Sequence, residues 1–237
     1  MKNTIKTSAP LKKVAIFDID GTIFRSSLLI EVTEALITEG IFPENTRKMY
    51  AKEHSGWLNR SGSYEKYIMA VVRAFEHHIR GVRHSDFVKI VKKVITLHKN
   101  RVYRYTRQLV KDLKKKQYFL LAISHSPREL VYAFCKTWGF NKVYGRMYEF
   151  DHRKKFTGNT LYLSLISDKA EVLKRAVQKE KLTLTDSVGV GDSESDIAFL
   201  KLVAHPICFN PNARLYDAAK KAKWKVVVER KDVIYYL

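Results

Sequence analysis

The sequence predicts an α/β fold, a parallel-sheet core carrying a helical insertion. Short apolar runs without alternation, such as Val14–Phe17 and Tyr118–Ile123, suit strands covered on both faces. After the second run, strand-like and helix-like stretches alternate in the order of a βαβ chain. Between the first and second runs there is only helical pattern, from 25 to 100, too long for an ordinary crossover. The expected organisation is an α/β core of residues 1–24 and 101–237 and a separate small helical domain of residues 25–100.

Each element has a local reason. Lys12–Asp18 reads as the first strand, ending on two aspartates. In "SLLIEVTEALITEG", Ser27 stands where a helix N-cap belongs and Gly40 where a helix stops. "YEKYIMAVVRAFEHHI" and "SDFVKIVKKVITLHK" are further helices, the second with Ser85 as its expected cap. "RYTRQLVKDLKKK" leads into the second strand, Tyr118–Ile123, and "PRELVYAFCKTWGF" places Pro127 in a first helical turn and Gly139 at the stop. "KVYGRMYEF" and "TLYL" flank "DHRKKFTGN" as a short antiparallel excursion. "SDKAEVLKRAVQKE" is a helix, "SVGVGD" a strand running into a turn, and "SESDIAFLK" a helix. "HPICFN", "PNARLYDAAKKA" and "WKVVV" give strand, helix, strand.

The 237 residues, 46% hydrophobic and 12% aromatic, are ample for a buried core and argue against disorder. Cys135 and Cys208 lack metal-ligand spacing and read as reduced core residues of an intracellular protein. No apolar run approaches a membrane span. The start, "MKNTIKTSAPLKK", lacks the apolar segment of a signal peptide, so a cytoplasmic location is expected. The net charge of +20 suits nucleic acid, an anionic surface or a polyanionic substrate, and equally suits solvated lysine-rich helix faces.

Chemistry concentrates at three strand ends: Asp18/Asp20, Ser124-His125-Ser126 and Gly191-Asp192-Ser193. In open α/β sheets ligands bind outside the carboxyl ends of strands, so the three clusters can converge. Ser193 and Asp196 also fit a helix capping box, which leaves Asp192 unexplained. Carboxylates meeting at one sheet edge repel unless a cation sits among them, and hard oxygen donors suit Mg²⁺. Lys169 falls in a first helical turn, against the helix dipole, where a cation aimed at a bound phosphate has a purpose.

Together these residues resemble the haloacid dehalogenase superfamily. "DIDGT" looks like its first motif, Ser124 after "LLAI" its second, Lys169 its third and "GDSESD" its fourth, in order and spacing from about Lys12 to Asn210. "SHSPRELVYAFCKTWGF" and "FTGN" are similar to subfamily IB, the phosphoserine-phosphatase-like branch. The resemblance implies a Rossmann-like core with an inserted helical cap domain and a Mg²⁺-dependent phosphatase. It further implies that Asp18 is the nucleophile that forms an aspartyl-phosphate and that Asp20 is the general acid and base. Asp18, the Asp20 main-chain carbonyl and Asp192 would hold Mg²⁺. Ser124 and Lys169 would bind the phosphoryl group, and Asp196 would orient Lys169 or the metal site. Ser27 stands where phosphoserine phosphatases carry a substrate-recognising glutamate, which argues against phosphoserine as substrate. His125 replaces a family glycine, with pocket lining and a turn role both open.

The expected partner is a small-molecule phosphate ester. A phosphatase for nucleic-acid ends or another polyanion is the second hypothesis, resting on Phe87–Lys111, a run with eight lysines and arginines and no acidic residue. Its only nearby aromatics besides Phe87 are Tyr103 and Tyr105, which would not share a helix face, so it is not favoured. A basic binding protein on an inactive phosphatase fold is the third, opposed by the filled motif positions. His77, His78 and His84 read as surface or cap residues, not as a metal site.

Overall fold

The computed structural model describes residues 11–237. The stretch before them, where no signal peptide is read, lies outside the described residues. Eight strands form one sheet in the order β4-β3-β2-β1-β5-β6-β7-β8. They are β1 (Lys12–Phe17), β2 (Phe119–Pro127), β3 (Lys142–Phe150), β4 (Phe156–Leu161), β5 (Leu182–Gly191), β6 (His205–Phe209), β7 (Lys225–Arg230) and β8 (Val233–Tyr236). The inner pairings are all parallel, while β4 and β8 are antiparallel edge strands. The chain moves outward from β1 through β2 to β3 and then returns to lay β5 on the other side of β1. The order therefore reverses between β1 and β5, where a ligand crevice opens in such sheets.

Between β1 and β2 lie α1 (Leu28–Thr38), a 3₁₀ turn (Glu44–Met49), α2 (Ala51–Leu58), α3 (Tyr64–Ile79), α4 (His84–His98) and α5 (Arg104–Lys115). The first four helices do not form a core of their own. Leu36, Phe42, Phe75 and Phe87 belong to the same buried cluster as Phe17, Tyr148 and Phe156 of the sheet. Ring contacts join them, Phe87 to Phe156 at 5.3 Å and Phe75 to Tyr148 at 5.7 Å. Truncating such a ring costs about 3–5 kcal/mol, so these contacts hold α3 and α4 firmly on the β3–β4 hairpin. After β2 comes α6 (Arg128–Trp138), and α7 (Leu163–Ser167) and α8 (Lys169–Glu180) precede β5. Then α9 (Ile197–Leu200) and α10 (Ala213–Ala222) alternate with the last strands. The opposite face of the sheet is covered through Val172, Leu173, Leu200 and Leu215, packed on Ile16 and Ile123.

Several local expectations are corrected. α4 begins at His84 with Arg83 in the cap position, so Ser85 is not its cap. The start is set by chain pairing: the His84 amide donates to the Lys154 carbonyl at 2.9 Å and Arg83 bridges Lys155. Ser27 does occupy the cap position of α1, but its side chain caps nothing. β2 continues through Ser124-His125-Ser126 to Pro127, which then sits at the N-cap of α6 and not inside it. Strand β8 was not expected, because "VIYY" is short and follows directly on the β7 hairpin. Tyr103 and Tyr105 both meet Phe209, at 4.9 and 5.6 Å. Tyr103 is the extended cap residue of α5, so the helical angle between the two does not apply.

Candidate active site

The ladder between β1 and β5 builds the site. Phe17 pairs with Val190, and the Asp18 amide donates to the Val190 carbonyl at 2.9 Å. That register brings Asp18 beside Gly191 and Asp192 at the carboxyl ends of both strands. The chain then turns sharply, with the Ile23 and Phe24 amides both donating to the Ile19 carbonyl. Gly21 has φ +81°, and a Cβ there would lie 2.2 Å from Asp192 Oδ2. Only glycine allows both that backbone and that approach. Gly191 is needed for closeness alone, since its Cβ would stand 2.5 Å from that of Asp196.

Lys169 binds the cluster together. It leaves the first turn of α8, whose N-terminus is capped by the Asp168 carboxylate through the Ala170 and Glu171 amides. Its Nζ donates to Asp18 Oδ1 and to Asp196 Oδ1, each at 2.6 Å. All three residues are at least 95% buried. Burial alone would lower the lysine pKa, but the two carboxylates overcome it and hold the ammonium charged. Asp196 is fully committed. Its Oδ2 accepts the Asp192 and Ser193 amides, both at 3.0 Å, within the expected capping box.

The second strand supplies Ser124, whose Oγ donates to Asp20 Oδ2 at 2.8 Å. Ser126 donates to the same oxygen at the same distance. Serines two apart on an extended chain share a face, a signal present in "SHS" but not used. Asp20 Oδ1 accepts the Leu28 amide at 2.5 Å, so Asp20 does the capping that Ser27 does not. Thr22, also not singled out, donates to Asp192 Oδ1 at 3.3 Å. His125 lies beside the site with Nε2 at 3.1 Å from the Ile166 carbonyl. Burial, then the charges of Lys169 and Arg146, lower its pKa to about 4. Tyr64, at the start of α3, was missed as well. Its phenol feels the Asp20 and Asp192 carboxylates, and burial followed by those charges pushes its pKa up. It stands edge-on to Trp57 at 5.4 Å.

The electrostatics are unbalanced. Four carboxylates, Asp18, Asp20, Asp192 and Asp196, gather round one ammonium. Burial raises the Asp18 pKa to about 7, with Lys169 opposing and Asp196 and Asp20 adding to the rise. Burial, then Asp18 and Asp196, raise Asp192 well above the usual carboxylate range. Asp20 is raised by burial, against the Leu28 amide and the two serines. Oxygens of Asp18, Asp192 and Asp196 lie within 4.8 Å of one another. Because Asp196 spends its oxygens on Lys169 and backbone amides, Asp18 and Asp192 are the carboxylates available to a hard divalent cation. The donor set fits such an ion: oxygen-only, and with excess negative charge.

Residues 15–201 match the family model "haloacid dehalogenase-like hydrolase". The chain is 25% identical over 228 residues to a histidinol-phosphatase of Neisseria meningitidis serogroup C, covering 92% of this chain and 99% of that protein. Among solved structures, a Bordetella pertussis Tohama I protein of unknown function superposes with a TM-score of 0.72 at 14% identity, over 92% of this chain and 98% of that one. A phospho-aspartyl intermediate analogue of phosphoserine phosphatase superposes with a TM-score of 0.61 at 21% identity, over 94% and 96%. These structural likenesses carry the fold, and no helix among the described residues is long and apolar enough to cross a membrane.

Proposed function

The chain belongs to the haloacid dehalogenase-like hydrolase family, and within it we propose a phosphatase that hydrolyses a small-molecule phosphate monoester through an aspartyl-phosphate. The observation that carries this is Asp18, buried at the strand end and held by Lys169 at 2.6 Å beside Asp192, with Asp20 next to it on the same turn. Asp18 attacks phosphorus, forming a carboxylate–phosphorus bond as the ester oxygen leaves. Asp20 gives its proton to that oxygen. Water then attacks the aspartyl-phosphate, losing a proton to Asp20 and freeing Asp18 and inorganic phosphate. The raised pKa of Asp20 favours a protonated acid for the first step. Ser124 and Lys169 bind the phosphoryl oxygens and take up charge in the transition state. Asp196 orients Lys169.

Asp18, the Asp20 main-chain carbonyl and Asp192 would hold Mg²⁺. The ion's chemistry here is to offset the repulsion between the carboxylates and an anionic phosphate. Residues 25–100 act as the cap, with Tyr64 and Trp57 presented to the leaving group. The histidinol-phosphatase relative supports a compact metabolite ester, and Ser27 in place of the branch's glutamate speaks against phosphoserine. The test is phosphate release from a metabolite panel. Turnover with Mg²⁺ and its loss in EDTA are expected, and full turnover of metal-free protein would refute the proposal.

A further inference from the structure

Away from the carboxylates, the turn between α3 and α4 is sewn to the β3–β4 hairpin. The Gly81 amide donates to the Phe156 carbonyl at 2.8 Å, the Phe156 amide to the Val82 carbonyl at 3.0 Å, and the His84 amide to the Lys154 carbonyl at 2.9 Å. This seam brings Arg80 and Arg83 beside Lys155, which is more than seventy positions later in the chain. The three line a cleft of about 400 Å³ with His78 and Asp86.

Some cations of the helical segment are matched: Arg47 with Glu34, Lys93 with Glu39 and Arg101 with Glu31. In the cleft, Asp86 is taken by Lys89 at 3.0 Å. Asp151, whose carboxylate feels the Lys155 charge, spends Oδ1 on the Arg153 and Lys155 amides. Arg80, Arg83 and Lys155 make no ion pair among the described residues. Arg80 is also supported: its stem carbons run 3.6–3.9 Å from where a Cβ at Gly158 would stand, and Gly158 has φ +92°.

We infer that this cleft binds a multiply charged phosphate anion, an oligophosphate or a phosphorylated headgroup, at a site separate from the catalytic carboxylates. Two guanidinium forks match phosphoryl oxygens in pairs, with Lys155 as a third point charge. Three unpaired cations exceed the charge of the two nearby carboxylates, Asp86 and Asp151, and the volume admits more than one phosphoryl group. Helix α3 separates the two sites. Tyr64 at its start lies by the carboxylates and Arg80 follows its end, about 24 Å on for 16 residues. A bound anion would bridge the seam and stiffen the seating of α3 on the sheet.

The test uses the full chain in EDTA, where the uncompensated carboxylates repel anions from the catalytic site, and tripolyphosphate as probe in calorimetry at about 0.1 M salt. The variant R80Q/R83Q/K155Q is compared with K114Q/K115Q/K116Q, which removes equal charge elsewhere. The cleft variant is expected to bind at least about tenfold more weakly and the control to stay within about twofold of the parent. Should the triple variant fail to fold, R83Q alone, at an exposed position, is expected to weaken binding about threefold. Equal losses in both triple variants, or none in the cleft variant, would overturn the site in its free-anion form. The second arm is sedimentation with phosphatidic acid vesicles. Cleft-dependent binding to vesicles but not to tripolyphosphate assigns the anion to a headgroup, and cleft-independent behaviour in both arms overturns the proposal.

Discussion

Two regions of this molecule accumulate charge of one sign, and they are built differently. At the carboxyl ends of β1 and β5, four aspartates share one buried lysine. Along Phe87–Lys111, by contrast, the basic run is exposed and partly offset by acids from elsewhere: Asp86 to Lys89, Glu39 to Lys93 and Glu31 to Arg101. Arg104 is tied by its amide to Glu229 and by its guanidinium to the Asp232 carbonyl. The exposed run is screened by solvent and its pairs are individually weak. The buried cluster has no such relief: burial first, and the neighbouring carboxylates after it, raise the pKa values of Asp18 and Asp192. Accumulated charge thus points to chemistry where it is buried and uncompensated, while its density along the sequence is a poor guide.

The sharpest way to break this contrast is to remove one cation from each region. Lys169→Met leaves buried carboxylates without their partner and should destabilise metal-free protein on the order of 3 kcal/mol. It should also lower Mg²⁺-supported turnover by about a hundredfold or more, because a phosphoryl-binding cation is lost. Lys93→Met breaks the exposed pair with Glu39 and should cost less than about 1 kcal/mol. Denaturant unfolding of the two variants checks the difference, and comparable costs would erase it.

A smaller effect is expected from pH. Burial raises the Asp18 carboxyl to about 7 in the folded protein and Asp192 well above the usual carboxylate range, against about 3.9 unfolded. Between those values the folded state binds more protons, so stability falls as pH rises through the window. His125 acts oppositely: with a folded pKa of about 4 and an unfolded value near 6.5, it costs stability as pH falls below 6.5. Metal-free protein should therefore gain Tm as pH falls from about 8 to 6.5 and gain it more gently below that, where one lowered histidine opposes two raised carboxylates. Saturating Mg²⁺ should raise Tm at pH 8 and flatten the slope, since it favours ionised carboxylates. A metal-free Tm that rises steadily from pH 6.5 to 8 would contradict the electrostatic picture.

The smallest effect is predicted for nucleic acid on the basic run. Tyr103 and Tyr105 are engaged with Phe209, so they offer no free stacking platform of the kind single strands need. Oligonucleotide binding should be weak, nonspecific and lost near physiological salt, as fluorescence anisotropy would show. Tight binding there, or preferential dephosphorylation of an oligonucleotide end, would place a second functional surface on this face.

The contrast also explains what the sequence made legible. The alternating α/β order and the polar strand ends were readable, because a parallel sheet buried on both faces leaves apolar runs that stop abruptly at the ligand edge. Asp18, Asp192, Lys169 and Ser124 could be singled out because each breaks its local pattern. Ser126, Thr22 and Tyr64 could not, since each fits an ordinary local role and acquires its place beside the carboxylates only through the pairing of β1 with β2 and β5 or the seating of α3. The start of α4 was missed for a similar reason: it is set by pairing with Lys154 and Lys155, far along the chain. β8 is a short edge strand whose only strand partner among the described residues is β7, and such strands leave little pattern.

The account stands or falls on covalent chemistry at Asp18. The direct measurement is rapid acid quench of the Asp20→Asn variant during turnover of an active phosphate ester, followed by peptide mass spectrometry. Loss of the general base should slow hydrolysis of the intermediate, so a phosphoryl group is expected on the peptide containing Asp18, and Asp18→Asn should show neither adduct nor turnover. Continued phosphate release by Asp18→Asn, with no adduct in either variant, would contradict the mechanism.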